Sequence, residues 1–210
     1  MNHRDIETQV NEFIRTHATG NSIRRQPESN KKFLILSGMS GSGKSTIGKL
    51  LEQEYDYQKF RNVYTRKMRD SETESDGIFV SSKKFHEWHD SGELLIAKKT
   101  NAVWHGIRHD ELDIYSKSTR IWADKSVSSL LELGQDFWGK ASLVYILPPD
   151  FATLLKRLKQ RESGATSSLS EVEIAVRLRE ESEEMIRSTQ LPYRYVINES
   201  INSCLLSVLA

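Results

Sequence analysis

Short apolar runs alternate along this chain with stretches in which apolar residues return every three or four positions, a pattern that predicts strands separated by helices. Phe33-Leu34-Ile35-Leu36 stops at Ser37-Gly38 and reads as a buried parallel strand. A helix should begin near Lys44, with Ile47, Leu50 and Leu51 on one face. Residues 141–147, Ala-Ser-Leu-Val-Tyr-Ile-Leu, form a second buried strand that ends at Pro148-Pro149. Asp150 is a good N-cap for a helix running to about Arg161. The Ser-, Gly- and Thr-rich stretch 162–170 reads as a mobile loop, and a helix follows from about Glu171 to Ser188, broken by Leu191-Pro192. Tyr193 to Ile197 reads as a last strand and Ile201 to Leu209 as a last helix. The alternation argues an α/β fold: a parallel sheet covered on both faces, in three layers.

Ahead of the first strand, Ile6, Val10, Phe13 and Ile14 fall at helical spacing. Such a helix could pack on the domain or serve as a partner-binding arm. Thr16 to Lys32, with Gly20, Pro27 and several Ser and Asn, reads as a linker. The expected division is therefore residues 1–31 as helix and linker and 32–210 as the main domain.

A length of 210 residues suits one α/β domain with a modest lid or appendage. With 37% hydrophobic and 28% charged residues the chain has the makings of a real core. Thirty Lys and Arg face 29 Asp and Glu, so the net charge of +1 gives no global drive toward nucleic acid or an acidic membrane. Neither partner is expected, and a monomer or homodimer is. The one cysteine, Cys204, reads as a small buried apolar residue. A polar N-terminus and the lack of an apolar run of membrane-spanning length point to a cytoplasmic setting.

Local chemistry is concentrated in Gly38-Met39-Ser40-Gly41-Ser42-Gly43-Lys44-Ser45, a complete G-x-x-x-x-G-K-[ST] sequence. Glycines let the backbone curl its N–H groups inward into an anion nest, and the following helix adds its partial positive end. Lys44 supplies a full charge for β- and γ-phosphates, and the Ser45 hydroxyl is placed for Mg²⁺. Position matters as much as pattern: the segment follows an apolar strand and opens an amphipathic helix. ATP and Mg²⁺ are the expected cofactors. No Asn-Lys-x-Asp segment of the guanine-reading GTPase type is present, and the chain is short for a motor.

Downstream segments narrow the class. Thr65-Arg66-Lys67-Met68-Arg69-Asp70-Ser71-Glu72 resembles the T-R-x-x-R-x-G-E segment of guanylate kinases. Asp76-Gly77-Ile78-Phe79-Val80-Ser81 with Phe85, Gly92-Glu93-Leu94-Leu95, and Trp104-His105-Gly106 echo further segments of that family, as do Ile146-Leu147-Pro148-Pro149 and Val196-Ile197-Asn198. The resemblance covers about residues 33–209 in order. It implies a P-loop NTPase domain with an acceptor-binding subdomain at about 61–115 and an arginine lid at about 157–177. It also implies an ATP-dependent kinase. Gly38, Ser40, Gly41, Ser42, Gly43, Lys44, Ser45, Thr46 and Asn198 would bind ATP, and Lys44, Arg157, Arg161 and Arg177 would act in the transfer. Arg66, Arg69, Glu72, His105 and Asp124 would face the acceptor, with Asp124 able to hold Mg²⁺ through water instead. Arginines three apart, as Arg66 and Arg69 are, suit a phosphate because a guanidinium forks two oxygens.

The likeness breaks at the positions that read guanine. A carboxylate is replaced by Ile96, a hydroxyl by Ile107, one tyrosine by His105 and another by Gly77, while Asn62 stands where a serine is usual. The expected acceptor is thus a phosphorylated small molecule, nucleoside monophosphate-like but not GMP. A sugar-phosphate kinase resembling ribose 1,5-bisphosphate phosphokinase and a non-catalytic binding module are the alternatives. His86-x-x-His89 and His105-x-x-x-His109 have metal spacing without completing ligands. Glu180, Glu181, Glu183 and Glu184 read as a solvated helix face. Trp88, Trp104, Trp122 and Trp138 read as core or pocket wall.

Overall fold

The structure, a computed structural model, describes residues 3–18, 33–69, 72–100, 102–111, 120–163 and 170–210; for Thr100 and 161–163 it describes the backbone alone. The chain opens with α1 (His3–Ala18), followed by β1 (Phe33–Ser37) and α2 (Lys44–Tyr55). Short strands β2 (Gln58–Lys59), β3 (Val63–Tyr64) and β4 (Ile78–Phe79) lead to α3 (Ser82–Asp90) and the hairpin β5 (Leu94–Thr100) and β6 (Val103–Arg108). Then come β7 (Ile121–Asp124), α4 (Val127–Leu133), α5 (Gln135–Trp138), β8 (Ser142–Leu147), α6 (Phe151–Ser163), α7 (Glu171–Arg187), β9 (Arg194–Ile197) and α8 (Ile201–Leu209).

Five parallel strands form the main sheet in the order β2-β7-β1-β8-β9. Alternation along β1 sends Leu34 and Leu36 to one side and Ile35 to the other. The Leu34 side is covered by Ile47 and Leu51 of α2 and by Cys204, Leu205 and Val208 of α8. The Ile35 side is covered by Ile6, Val10, Phe13 and Ile14 of α1, together with Leu154 of α6 and Leu178 and Met185 of α7. These are the three layers expected from the alternating pattern.

The first helix therefore packs on the domain. Asn11 Oδ1 also accepts the Phe151 amide at 3.0 Å, satisfying one of the open donors at the start of α6. The linker expected over Thr16 to Lys32 lies mainly outside the described residues, as does most of the loop at 162–170. Helix α7 ends at Arg187, one residue before the expected Ser188, and tightens into a 3₁₀ turn at Ser188–Gln190. Pro192 disfavours the helical conformation just before it, which fits an early stop.

A second sheet, in the order β4-β3-β6-β5, projects beside the first. It has its own small core of Val63, Phe85 and Trp88, with Ile78, Val80, Leu94 and Trp104 against it. Gly106 lets the two strands and the Phe85 ring approach closely, since a Cβ would come 3.0 Å from that ring and 3.1 Å from Ile96 O. Trp122 sits between β7 and α2, its Nε1 donating to Glu52 Oε1 at 2.9 Å, a core role as expected.

Candidate active site

β1 ends in the glycine loop, and α2 starts at Lys44, so the loop lies over the carboxyl end of the sheet. Gly38, Gly41 and Gly43 all have positive φ, at 143°, 84° and 104°. Two of them are also pinned by space. A Cβ on Gly38 would lie 2.4 Å from the Ile146 carbonyl oxygen, and one on Gly43 would lie 2.1 Å from Asn198 Nδ2. The loop closes on itself through Ser42 N to Met39 O at 3.0 Å. Lys44 Nζ folds back to donate to Gly38 O at 2.6 Å and Met39 O at 3.2 Å. Asn198, at the end of β9, donates from Nδ2 to Ser42 O at 2.7 Å.

Helices α6 and α7 reach this loop directly. Arg157 of α6 lies 3.4 Å from Gly41 O and 3.5 Å from Asn198 O. Arg177 of α7 donates to Ser40 Oγ at 3.1 Å and pairs with Glu181 at 3.4 Å. Glu181 in turn accepts a hydrogen bond from the Ser40 amide. Arg161 belongs to α6 by its backbone, but its side chain lies outside the described residues. Glu181 and Glu184 correct the reading of that acidic run as a solvated face. Three apart on α7, both turn inward and line the loop's cavity. Glu184 accepts the Ser128 amide at 3.1 Å, near the start of α4.

That cavity has a volume of about 270 Å³ and is lined by Gly38, Ser40, Lys44, Asp124, Lys125 and Glu181, among others. Its far wall follows β7. Lys125 N donates to Leu36 O at 3.2 Å, and Lys125 O accepts from Ser37 Oγ at 2.6 Å. Ser37 Oγ spends its proton there, so it accepts from Tyr193 OH, 2.6 Å away. Burial pushes the Tyr193 hydroxyl well above its ordinary value, which keeps it a donor.

On the second sheet Arg66 is engaged face and edge. Its two terminal nitrogens donate to the two Glu72 carboxylate oxygens, each at 2.6 Å. Its plane lies 4.8 Å from the Tyr64 ring and 5.2 Å from the Phe79 ring. Arg69 joins through its amide, 3.0 Å from Glu72, and its guanidinium at 3.5 Å. Burial alone would raise the Glu72 carboxyl; the hydrogen bonds from Arg66 and Arg69 and their charges outweigh it and hold the group below its ordinary value. His105 meets Tyr64 edge to face at 5.3 Å. Tyr64 also closes over Gly77, where a Cβ would lie 2.7 Å from the ring. Ile96 and Ile107 pair across β5 and β6 and pack into the apolar cluster, Ile107 fully buried.

No protein-family model matches the chain. Among curated proteins, the guanylate kinase of Wolbachia pipientis wMel is 33% identical over 80% of this chain and 83% of its own length. The chain belongs to the guanylate kinase family. The guanylate kinase of Wolbachia sp. subsp. Brugia malayi (strain TRS) is 32% identical over 83% of this chain and 88% of its own length. Among solved structures, the guanylate kinase from Anaplasma phagocytophilum superposes with a TM-score of 0.61 at 21% identity, covering 86% of this chain and 84% of that one.

The guanylate kinase-family chain is thus a P-loop kinase, an ATP-dependent phosphotransferase that uses Mg²⁺. Its loop fits that nucleotide. Buried Ser42 Oγ has no hydrogen-bond partner among the described residues, and the Ser40 amide already holds a carboxylate where a phosphate oxygen would go. Ser45, exposed in the first turn of α2, is open to a cation. Among the described residues no group of three or more His, Cys, Asp or Glu is gathered for a metal, and no helix is long and apolar enough to cross a membrane.

The fold brings Lys44, Arg157, Arg177 and Asn198 together at the loop. It gathers Arg66, Arg69, Glu72 and His105 around the second sheet, with Asp124 at the cavity wall between. Lys125 and Glu181 were not singled out in the sequence. The only hint at Lys125 was a lysine directly after an apolar strand end, and Glu181 was concealed in an acidic run.

Proposed function

We propose that this kinase transfers the γ-phosphoryl of ATP to a phosphorylated small molecule that is nucleoside monophosphate-like but is not GMP. The observation that carries this reading is the contrast between a complete donor loop and an acceptor pocket with isoleucine at both guanine-reading positions. Ile96 and Ile107 offer no hydrogen bond and belong to the apolar cluster. Guanine N–H groups buried against them would be left unmatched, at about 1–3 kcal/mol for each group.

Phosphoryl transfer asks the protein for positioning and charge, not for a covalent intermediate. In this reading the loop amides and Lys44 hold the donor phosphates. Arg157, Arg161 and Arg177 fold over the donor from α6 and α7, neutralise charge at the transferring group and exclude water. Mg²⁺ at Ser45 adds charge neutralisation on the phosphates. Arg66 and Arg69 grip the acceptor's phosphate, with Glu72, His105 and Asp124 beside it.

A coupled ADP-release screen over nucleoside monophosphates and sugar phosphates tests the proposal, with Lys44→Ala as the blank. We expect turnover with at least one acceptor and poor turnover with GMP. GMP conversion at ordinary kinase rates, about 1–100 per second, would overturn the claim about the acceptor.

A further inference from the structure

Lys125 is a group that folding alone does not account for. It is 5% exposed. Its Nζ donates to Asn62 Oδ1 and lies 4.7 Å from the centroid of the Phe60 ring. Among the described residues that ammonium has no other hydrogen bond and no ion pair. An ammonium carries three donors, so two are unmatched in a place where unmatched polar groups are costly. Burial pushes its pKa down to about 7, against the upward pull of Asp124 and Glu111. An apolar side chain would be the more stable choice at such a position.

Location supplies a reason for the charge. Lys125 lines the donor cavity with Lys44, while its ammonium reaches Asn62, immediately before β3 of the acceptor sheet. The residue therefore spans the seam between donor loop and acceptor sheet. Transfer between two phosphates forces two anions into contact at such a seam, and a cation there offsets their repulsion. Arg66 is not among the residues lining this cavity, and its fork is held by Glu72. We propose that Lys125 is an acceptor-binding residue whose ammonium takes an oxygen of the acceptor's phosphate and holds it against the donor cavity. Asn62 keeps the ammonium aimed at that spot until the phosphate arrives. The assignment rests on the kinase reading above.

Lysine reactivity separates the two. The intact protein is reductively methylated in a non-phosphate buffer, and each lysine is followed by mass spectrometry. Samples are free protein, protein with Mg-ADP, and protein with Mg-ADP plus increasing inorganic phosphate. Mg-ADP should protect Lys44 and leave Lys125 reactive, and phosphate should then protect Lys125 several-fold. Failure of Mg-ADP to protect Lys44 would defeat the donor-site reading itself. With Lys44 protected, three results would each overturn the Lys125 assignment alone. These are a Lys125 that is unreactive in the free protein, one already protected by Mg-ADP, and one that phosphate leaves unchanged. Kinetics give a second readout with whichever acceptor the screen yields. Lys125→Met should raise the acceptor KM at least tenfold while the ATP KM stays within twofold, and Lys125→Arg should recover part of the loss. Equal changes in both KM values would point to a structural role and overturn the assignment.

Discussion

The glycine loop at 38–45 and the second sheet are built on opposite terms. At the loop, backbone does the work: three positive-φ glycines, two of them with no room for a Cβ. Few side chains fit that geometry, since positive φ disfavours any residue with a Cβ. On the second sheet, where we propose that the acceptor binds, side chains do the work, and the sheet's own core is little more than Val63, Phe85 and Trp88. Exposed side chains on such a sheet can be exchanged without refolding the backbone. What a backbone cradle binds is fixed by the fold; what a side-chain pocket binds is open to revision.

The largest effect expected from breaking this contrast is on the donor side. Lys44→Ala removes a full charge from the cavity while leaving the buried loop contacts of Ser42 and Asn198 in place. The turnover number should fall by about 10³-fold or more, in line with the loss of a preorganised charged donor. Thermal unfolding should change little. A drop in melting temperature matching the drop in rate would mean that Lys44 holds the loop together and does not act on phosphate.

Lys125 tests the acceptor side through stability. Its ammonium titrates at about 7 in the folded protein against 10.5 for an unhindered lysine. Between those values the unfolded state binds more protons, so stability rises with pH across that window, and the penalty is fully present below about pH 7. Lys125→Met removes a charge burial that costs at most about 5 kcal/mol and loses the Asn62 contact, which offsets part of the gain. A net stabilisation of about 2–3 kcal/mol is expected in denaturant unfolding at pH 6, fading toward pH 10. A destabilised variant at pH 6 would show that the lysine is structural.

These two residues also show what could be read before the fold was known. The loop was legible because its chemistry is local: eight consecutive residues after an apolar strand specify it. The layers were legible too, since the continuous apolar runs of β1 and β8 mark strands buried on both faces and the period along α2 marks its buried side. The charge run on α7 was misread because whether a glutamate meets water or a cavity depends on a neighbour about 140 residues away, as Glu181 and Ser40 are. Lys125 escaped for the same reason. Nothing near it in sequence says that Asn62 and Phe60 would enclose it.

Arg66→Ala should have the next effect, confined to the acceptor. Its fork and its stacking on Tyr64 and Phe79 are lost, and Glu72 is left without its main counter-charge. Loss of about 2 kcal/mol of charged hydrogen bonding corresponds to roughly a 30-fold rise in acceptor KM. The ATP KM, measured at saturating acceptor, should stay put. If both rise together, the two regions are not separable and the contrast drawn above fails.

The smallest effect sharpens the comparison most. Glu181 accepts the Ser40 amide and pairs with Arg177, so it holds two of the groups that a donor phosphate would need. A carboxylate in that position competes with phosphate for the amide and repels it as well. Glu181→Gln keeps the size and a carbonyl acceptor but removes the charge. The ATP KM should fall about fivefold, equivalent to about 1 kcal/mol, with the acceptor KM unchanged. If Glu181 instead serves to aim Arg177, the same substitution should raise the ATP KM and lower the turnover number together, because the arginine would lose its orientation toward the loop. The sign of the change in KM therefore decides whether Glu181 is an internal anion that ATP must displace from the Ser40 amide, or a group that aims Arg177 at the nucleotide.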